Sequence, residues 1–227
     1  MAKYDYVLLD ADNTLFDFDY SEKKALGATL THYGYPMSQE HHQAYHQANK
    51  ALWKSFERGE ITQEEILARR FGGFMELVGG DYDPAAMNEH FMDQLIAHGR
   101  LLPGAEDFCR SLHGRCNLVI VTNGVARVQR GRLERSPIRE LFAGVFISTE
   151  LGCQKPSKAY FDEVCRALPL PDRKRAIVVG DSLTSDILGG HNAGIDTIWY
   201  NPEGQPWGEI VPTWEARNYM EALKLIL

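Results

Sequence analysis

The chain has 227 residues, enough for one α/β core with an inserted second unit, and 44% of them are hydrophobic, enough to fill a packed interior. With 31 acidic against 24 basic residues, the net charge of −7 argues against a nucleic-acid polymer as partner, because a basic face is the usual footprint of one. No apolar run approaches membrane-spanning length and residues 1–6 carry no signal-peptide core, so a cytoplasmic protein with no membrane contact is expected, with reduced thiols at Cys109, Cys116, Cys153 and Cys165.

The first apolar run, Tyr6-Val7-Leu8-Leu9, is too short for a helix and reads as a buried strand. It ends in Asp10-Ala11-Asp12-Asn13-Thr14-Leu15, and alternation along a strand sends Asp10 and Asp12 to one face. Two carboxylates there suit a nucleophile beside an acid–base partner, or the oxygen ligation of a hard cation such as Mg²⁺. An Asp- and Asn-rich turn fits the same string.

Residues 20–98 hold no strand run. Helices are expected over 21–33, 38–58, 62–78 and 84–97, broken by Gly34-Tyr35-Pro36, Arg58-Gly59 and the Gly79-to-Pro84 segment. Thr62-Gln63-Glu64-Glu65 has the form of a capping box. His41, His42 and His46 read as a solvated helix face, Trp53 and Phe56 as core packing, and Lys23 and Lys24 as surface residues.

From Pro103-Gly104 onward, strands and helices alternate. Leu118-Val119-Ile120-Val121 is a strand run ending at Thr122-Asn123-Gly124, and further strands are expected at 145–148 and 197–200. Gln154-Lys155-Pro156-Ser157 places a lysine just before a helix start, where the positive end of the helix disfavours a cation. The strand Ala176-Ile177-Val178-Val179 closes with Gly180-Asp181-Ser182-Leu183-Thr184-Ser185-Asp186. Ligands of open α/β sheets bind at the carboxyl ends of strands, so these polar clusters are expected to meet at one edge.

The order D-x-D-x-T, T-N-G after a strand, K-P, then G-D-x-x-x-x-D resembles the haloacid dehalogenase (HAD) superfamily of phosphohydrolases, and the motifs span residues 10 to 186. The strings from Asp10 to Asp19 and from Gly180 to Gly190 are similar to its pyrimidine 5′-nucleotidase branch. The resemblance implies an α/β fold: a Rossmann-like parallel-sheet core of residues 1–18 and 99–227, with an all-helical cap of the C1 type at 19–98. It implies Asp10 as nucleophile, Asp12 as acid and base, and Lys155 as the neutralising cation. Thr122 and the Asn123 backbone N–H would hold the phosphoryl group. Asp10, Asp181 and the Asp12 backbone carbonyl would hold Mg²⁺, with Asp186 behind them orienting waters or Lys155. Phe16, Asp17, Phe18 and Asp19 are candidates for substrate contact. The implied partner is a small-molecule phosphate ester, and the implied assembly a monomer or homodimer. A sugar-phosphate or organic-acid phosphatase, or a phosphoglucomutase-like enzyme, would use the same set, and a phospho-ligand sensor on this scaffold is the non-enzyme alternative.

Overall fold

The computed structural model describes residues 2–78, 82–170 and 172–227. In chain order the elements are β1 (Tyr6–Leu9), α1 (Phe18–His32), α2 (Gln39–Glu57), α3 (Gln63–Val78), α4 (Pro84–Ala97), α5 (Ala105–Leu112), β2 (Asn117–Thr122), α6 (Ala126–Glu134) and β3 (Phe142–Ile147). They continue with α7 (Ser148–Leu151), α8 (Lys158–Ala167), β4 (Ala176–Gly180), α9 (Leu188–Ala193), β5 (Asp196–Tyr200), β6 (Trp214–Ala216) and α10 (Tyr219–Ile226). They fall into two compact units, Met1–Asp17 with Arg100–Leu227, and Phe18–Gly99. Among the described residues, no helix is long and apolar enough to cross a membrane.

The first unit is a six-stranded sheet in the order β3-β2-β1-β4-β5-β6, and every strand pair is parallel. Parallel strands buried on both faces need apolar residues at every position rather than alternate ones. The three central strands meet that need. Val7, Leu9, Leu118, Ile120, Ile177 and Val179 face one core cluster, covered by Phe108 and Leu112 of α5 and by Ala222 and Ile226 of α10. Tyr6, Leu8, Val119, Val121 and Val178 face the other, covered by Tyr160, Phe161 and Val164 of α8.

The sheet order reverses direction between β1 and β4, the topological switch point at which open α/β sheets bind ligands. Leu9 is level with Ile120 on one side and with Val179 on the other. The residues that follow these three strands therefore emerge at one edge, and the clusters at Asp10, Thr122 and Asp181 emerge with them.

Among the described residues, the second unit is all helical. Ser38 caps α2 by accepting from the His41 N–H at 3.0 Å. The Thr62 hydroxyl accepts from the Glu65 N–H at 3.2 Å while the Glu65 carboxylate accepts from the Thr62 N–H at 2.9 Å, the reciprocal pair of a capping box. Asp83 caps α4 ahead of Pro84 at its first position. The turn expected across Gly79 to Asp81 lies outside the described residues. The interior is aromatic: Tyr45, Phe71 and Phe91 sit with ring centroids 5.2 to 5.4 Å apart.

The histidine face expected to be solvated is half-buried instead. Glu22 is buried in α1 and needs partners once removed from water. His46 Nδ1 supplies one at 2.6 Å and Asn49 Nδ2 another at 2.8 Å. The hydrogen bond to Glu22 raises the His46 pKa above its ordinary value. A histidine raised in the folded state stabilises fully below its unfolded value of about 6.5. That contribution fades as pH rises through the higher folded value. His46 is 37% exposed, so it is expected to be worth less than about 1 kcal/mol. His46→Gln should flatten this loss of thermal stability above pH 6.5 in melts from pH 5 to 9, and an unchanged slope refutes the assignment.

Candidate active site

Asp10 follows β1 directly, and its backbone N–H donates to the Val179 carbonyl at 2.9 Å, continuing the β1–β4 ladder by one residue. The residue is 7% exposed. Lys155, 1% exposed, reaches it from the loop before α8. The three donors of the ammonium are all used: Asp10 Oδ1 at 2.6 Å, Asp186 Oδ1 at 2.7 Å and the Val121 carbonyl at 2.8 Å. Asn123 fixes the loop that carries this lysine. Its side chain accepts from the Lys155 N–H at 2.9 Å and donates to the Lys155 carbonyl at 2.9 Å. Ser157, not Lys155, occupies the cap of α8, so the cation stands clear of the helix end and among carboxylates.

Asp181 is held through its backbone. Its N–H donates to the Thr14 hydroxyl at 3.0 Å, and its carbonyl accepts from Trp199 Nε1 at 2.7 Å. Tyr219 in turn donates to the Thr14 carbonyl at 2.8 Å. After Asp181 the chain turns through one π-helical turn (Leu183–Ile187), which returns Asp186 toward the sheet. Asp186 Oδ2 accepts from the Ser182 N–H at 3.1 Å, leaving Oδ1 for Lys155. Gly180 makes room for this: a Cβ there would lie 2.2 Å from the Asp186 carboxylate.

One oxygen each from Asp10, Asp181 and Asp186 lies within 4.8 Å of the other two. Three acids against one lysine leave surplus negative charge in a buried place. Burial pushes the Asp10 carboxyl up to about 7; Lys155 opposes the rise, and Asp186 and Asp12 add to it. The rise follows because a buried carboxylate loses the hydration that favours its charged form. Asp181 keeps some contact with solvent, yet desolvation and the charges of Asp10 and Asp186 carry it well above the usual carboxylate range. Burial alone would lower Lys155, but the two aspartates that face it keep it protonated, above the ordinary lysine value. A hard divalent cation would offset the surplus charge, and the all-oxygen donor set fits Mg²⁺.

Asp12 stands outside this triplet. Its Oδ2 accepts from Gln129 Nε2 at 2.7 Å and its Oδ1 from Arg132 Nη2 at 2.5 Å, both on α6. The Thr122 hydroxyl, 1% exposed, accepts from the Gly124 N–H at 3.0 Å and so shapes the turn after β2. Phe16 is buried in the core with the Arg132 guanidinium 4.9 Å from its ring centroid, and Asp17 pairs with Arg100 at 2.6 Å. Both of these substrate-contact candidates thus have structural partners. Phe18 and Asp19 open α1 in the helical unit.

Gln129, Arg132 and Trp199 were not among the residues singled out by sequence. Gln129 and Arg132 are three apart on α6, which places them on one helical face. That spacing was the available signal.

The chain matches the family of haloacid dehalogenase-like hydrolases over residues 4–194. It is 36% identical to the pyrimidine 5′-nucleotidase PynA of Streptococcus pneumoniae, over 97% of this chain and 94% of that protein. It is also 36% identical to the pyrimidine 5′-nucleotidase YjjG of Escherichia coli, over 99% and 98%. The fold superposes with a TM-score of 0.92 on Bacillus subtilis YfnB, whose crystal structure is described as bound to magnesium; the two are 35% identical, and the match covers 98% of each chain. With its family signature, its parallel sheet and its full-length relatives in accord, the chain belongs to the haloacid dehalogenase-like hydrolases.

Proposed function

We propose that this hydrolase of phosphoric monoesters acts on pyrimidine nucleoside 5′-monophosphates through an aspartyl-phosphate, with Mg²⁺ bound by Asp10, Asp181 and the Asp12 backbone carbonyl. The observation that carries the chemistry is Asp10 held 2.6 Å from a buried lysine, with two further carboxylates beside it. The pyrimidine preference is supported by the two nucleotidase relatives at 36% identity.

Asp10 attacks phosphorus, forming a carboxylate O–P bond as the P–O bond to the nucleoside breaks. Asp12 gives its proton to the departing 5′-oxygen. Water then attacks the same phosphorus and passes a proton to Asp12. The acyl O–P bond breaks, inorganic phosphate leaves and Asp10 is regenerated. Lys155 holds Asp10 in place and offsets negative charge as it develops. The Thr122 hydroxyl and the Asn123 N–H are assigned to the phosphoryl oxygens. Asp186 orients Lys155. When bound, the cation supplies positive charge to the phosphoryl oxygens. The helical unit, residues 18–99, is assigned the part of the cap that selects the substrate.

The test is kcat/KM with Mg²⁺ across nucleotides and sugar phosphates. UMP, dUMP or dTMP should exceed AMP and GMP by about 10-fold or more, since steric rejection of the larger base discriminates better than added attraction for the smaller one. A higher value for any sugar phosphate would replace the nucleotidase reading by a sugar phosphatase with the same catalytic set.

A further inference from the structure

The contacts of Asp12 carry an inference that deepens the proposed reaction and rests on Asp12 being its acid. We infer that Arg132 and Gln129 are positioning residues that hold the Asp12 carboxyl where it protonates the leaving oxygen. The three side chains close a triangle. Gln129 Nε2 donates to one Asp12 oxygen at 2.7 Å, Arg132 Nη2 donates to the other at 2.5 Å, and the same Nη2 donates to Gln129 Oε1 at 2.8 Å. With both oxygens held, the plane of the carboxyl is fixed.

Arg132 is an expensive residue to place here. Its side chain is fully buried, and Nε and Nη1 are buried with no hydrogen-bond partner among the described residues. Buried donors left unpartnered work against stability, and a structural arginine would be expected to satisfy them. The guanidinium instead lies against the Phe16 ring, with one nitrogen committed to Asp12 and Gln129. The turn after β2 makes way for the arrangement. A Cβ on Gly124 would lie 1.9 Å from Gln129 Nε2, so only glycine lets Gln129 pass to Asp12. The Thr122-Asn123-Gly124 segment, assigned to phosphoryl binding, thereby also sets the placement of the acid.

A positioned acid matters in proportion to how badly the leaving group needs a proton. A nucleoside 5′-alkoxide needs one, whereas p-nitrophenolate departs without it. Arg132→Met and Gln129→Leu should each lower kcat/KM for UMP, or for whichever alkyl phosphate is turned over best, by about 30- to 300-fold. The same variants should lower kcat/KM for p-nitrophenyl phosphate by less than about 5-fold. The ratio of the two values on one sample cancels any fraction of misfolded protein, and kcat/KM reports only steps up to transfer of the phosphoryl group to Asp10. Asp12→Asn serves as the reference: whatever its loss on each substrate, it should lower kcat/KM for the alkyl phosphate more than for p-nitrophenyl phosphate. If Asp12→Asn is selective while both variants lower the two substrates equally, the positioning role is overturned and the pair is structural. If Asp12→Asn is itself unselective, the acid role assigned to Asp12 falls, and this inference with it.

Discussion

Asp10→Asn should lose at least about 10³-fold in turnover on any phosphate ester, a rise of about 4 kcal/mol in the barrier. The amide matches the carboxylate in size and its oxygen still accepts from Lys155. What it lacks is the charge that attacks phosphorus. The same substitution should leave stability unchanged or raise it in cation-free protein. Asp10, Asp181 and Asp186 press surplus negative charge around a single lysine, and burial already drives the Asp10 carboxyl up to about 7. Removing one of those charges relieves the repulsion. Lys155 keeps Asp186 at 2.7 Å and the Val121 carbonyl at 2.8 Å. The pairing of lost activity with retained stability is what distinguishes a nucleophile from a structural ion-pair partner, whose loss leaves a buried charge unpaired and destabilises by several kcal/mol. Kinetics and melts on the same preparation check both halves. Turnover within 10-fold of the parent would require another nucleophile.

Much of this arrangement was legible in the sequence because parallel strands buried on both faces leave uninterrupted apolar runs. Tyr6 to Leu9, Leu118 to Val121 and Ala176 to Val179 all fall within strands. The edge strands were harder. β3 begins at Phe142, three residues before the expected start, and a register irregularity opposite Leu118 and Val119 breaks its pattern near Gly144. Ser148, expected to end that strand, opens α7. β6 has three residues, too few for any periodicity to show. The π-helical turn was invisible for a different reason: its length is set by Asp186 having to return to Lys155, which is a tertiary demand.

Within the site, residues at strand ends were readable and residues arriving from helix faces were not. Asp10 and Asp181 follow neighbouring strands, so topology alone brings them together, and Asp12 lies two residues beyond Asp10. Arg132 lies in a segment, Ala126 to Glu134, whose three arginines give a polar reading all round. The spacing of Gln129 and Arg132 marks a shared face but does not tell the buried Arg132 from the exposed Arg130, which pairs with Glu150 at the surface. The distinction arises only because Asp12, 120 residues earlier in the chain, lies within reach of one and not of the other.

Removal of Mg²⁺ should abolish turnover, restore it on re-addition, and change how stability depends on pH. In cation-free protein Asp10 and Asp181 have raised pKa values, the first at about 7. Between the unfolded carboxyl value of about 3.9 and that raised value, the folded state binds more protons than the unfolded chain. Stability of the metal-free protein should therefore fall as pH rises from about 4 through about 7. A bound cation takes the place of those protons, so it opposes the fall. Mg²⁺ should accordingly raise Tm more at pH 8 than at pH 5, where protons compete for the same oxygens. This readout needs no substrate and separates a cation held by the carboxylates from one that merely accompanies the phosphate ester. A pH-independent increment in Tm, or full turnover in chelator-treated protein, would remove the cation from the site. Asp181→Asn should shrink the Mg²⁺ increment at pH 8, because it deletes a carboxylate ligand while keeping the Thr14 and Trp199 contacts made through its backbone. Asp186→Asn separates the two parts assigned to that cluster. If Asp186 acts on Lys155, the variant should keep most of the Mg²⁺ increment and lose turnover; if it binds the cation, the increment should fall as it does for Asp181→Asn.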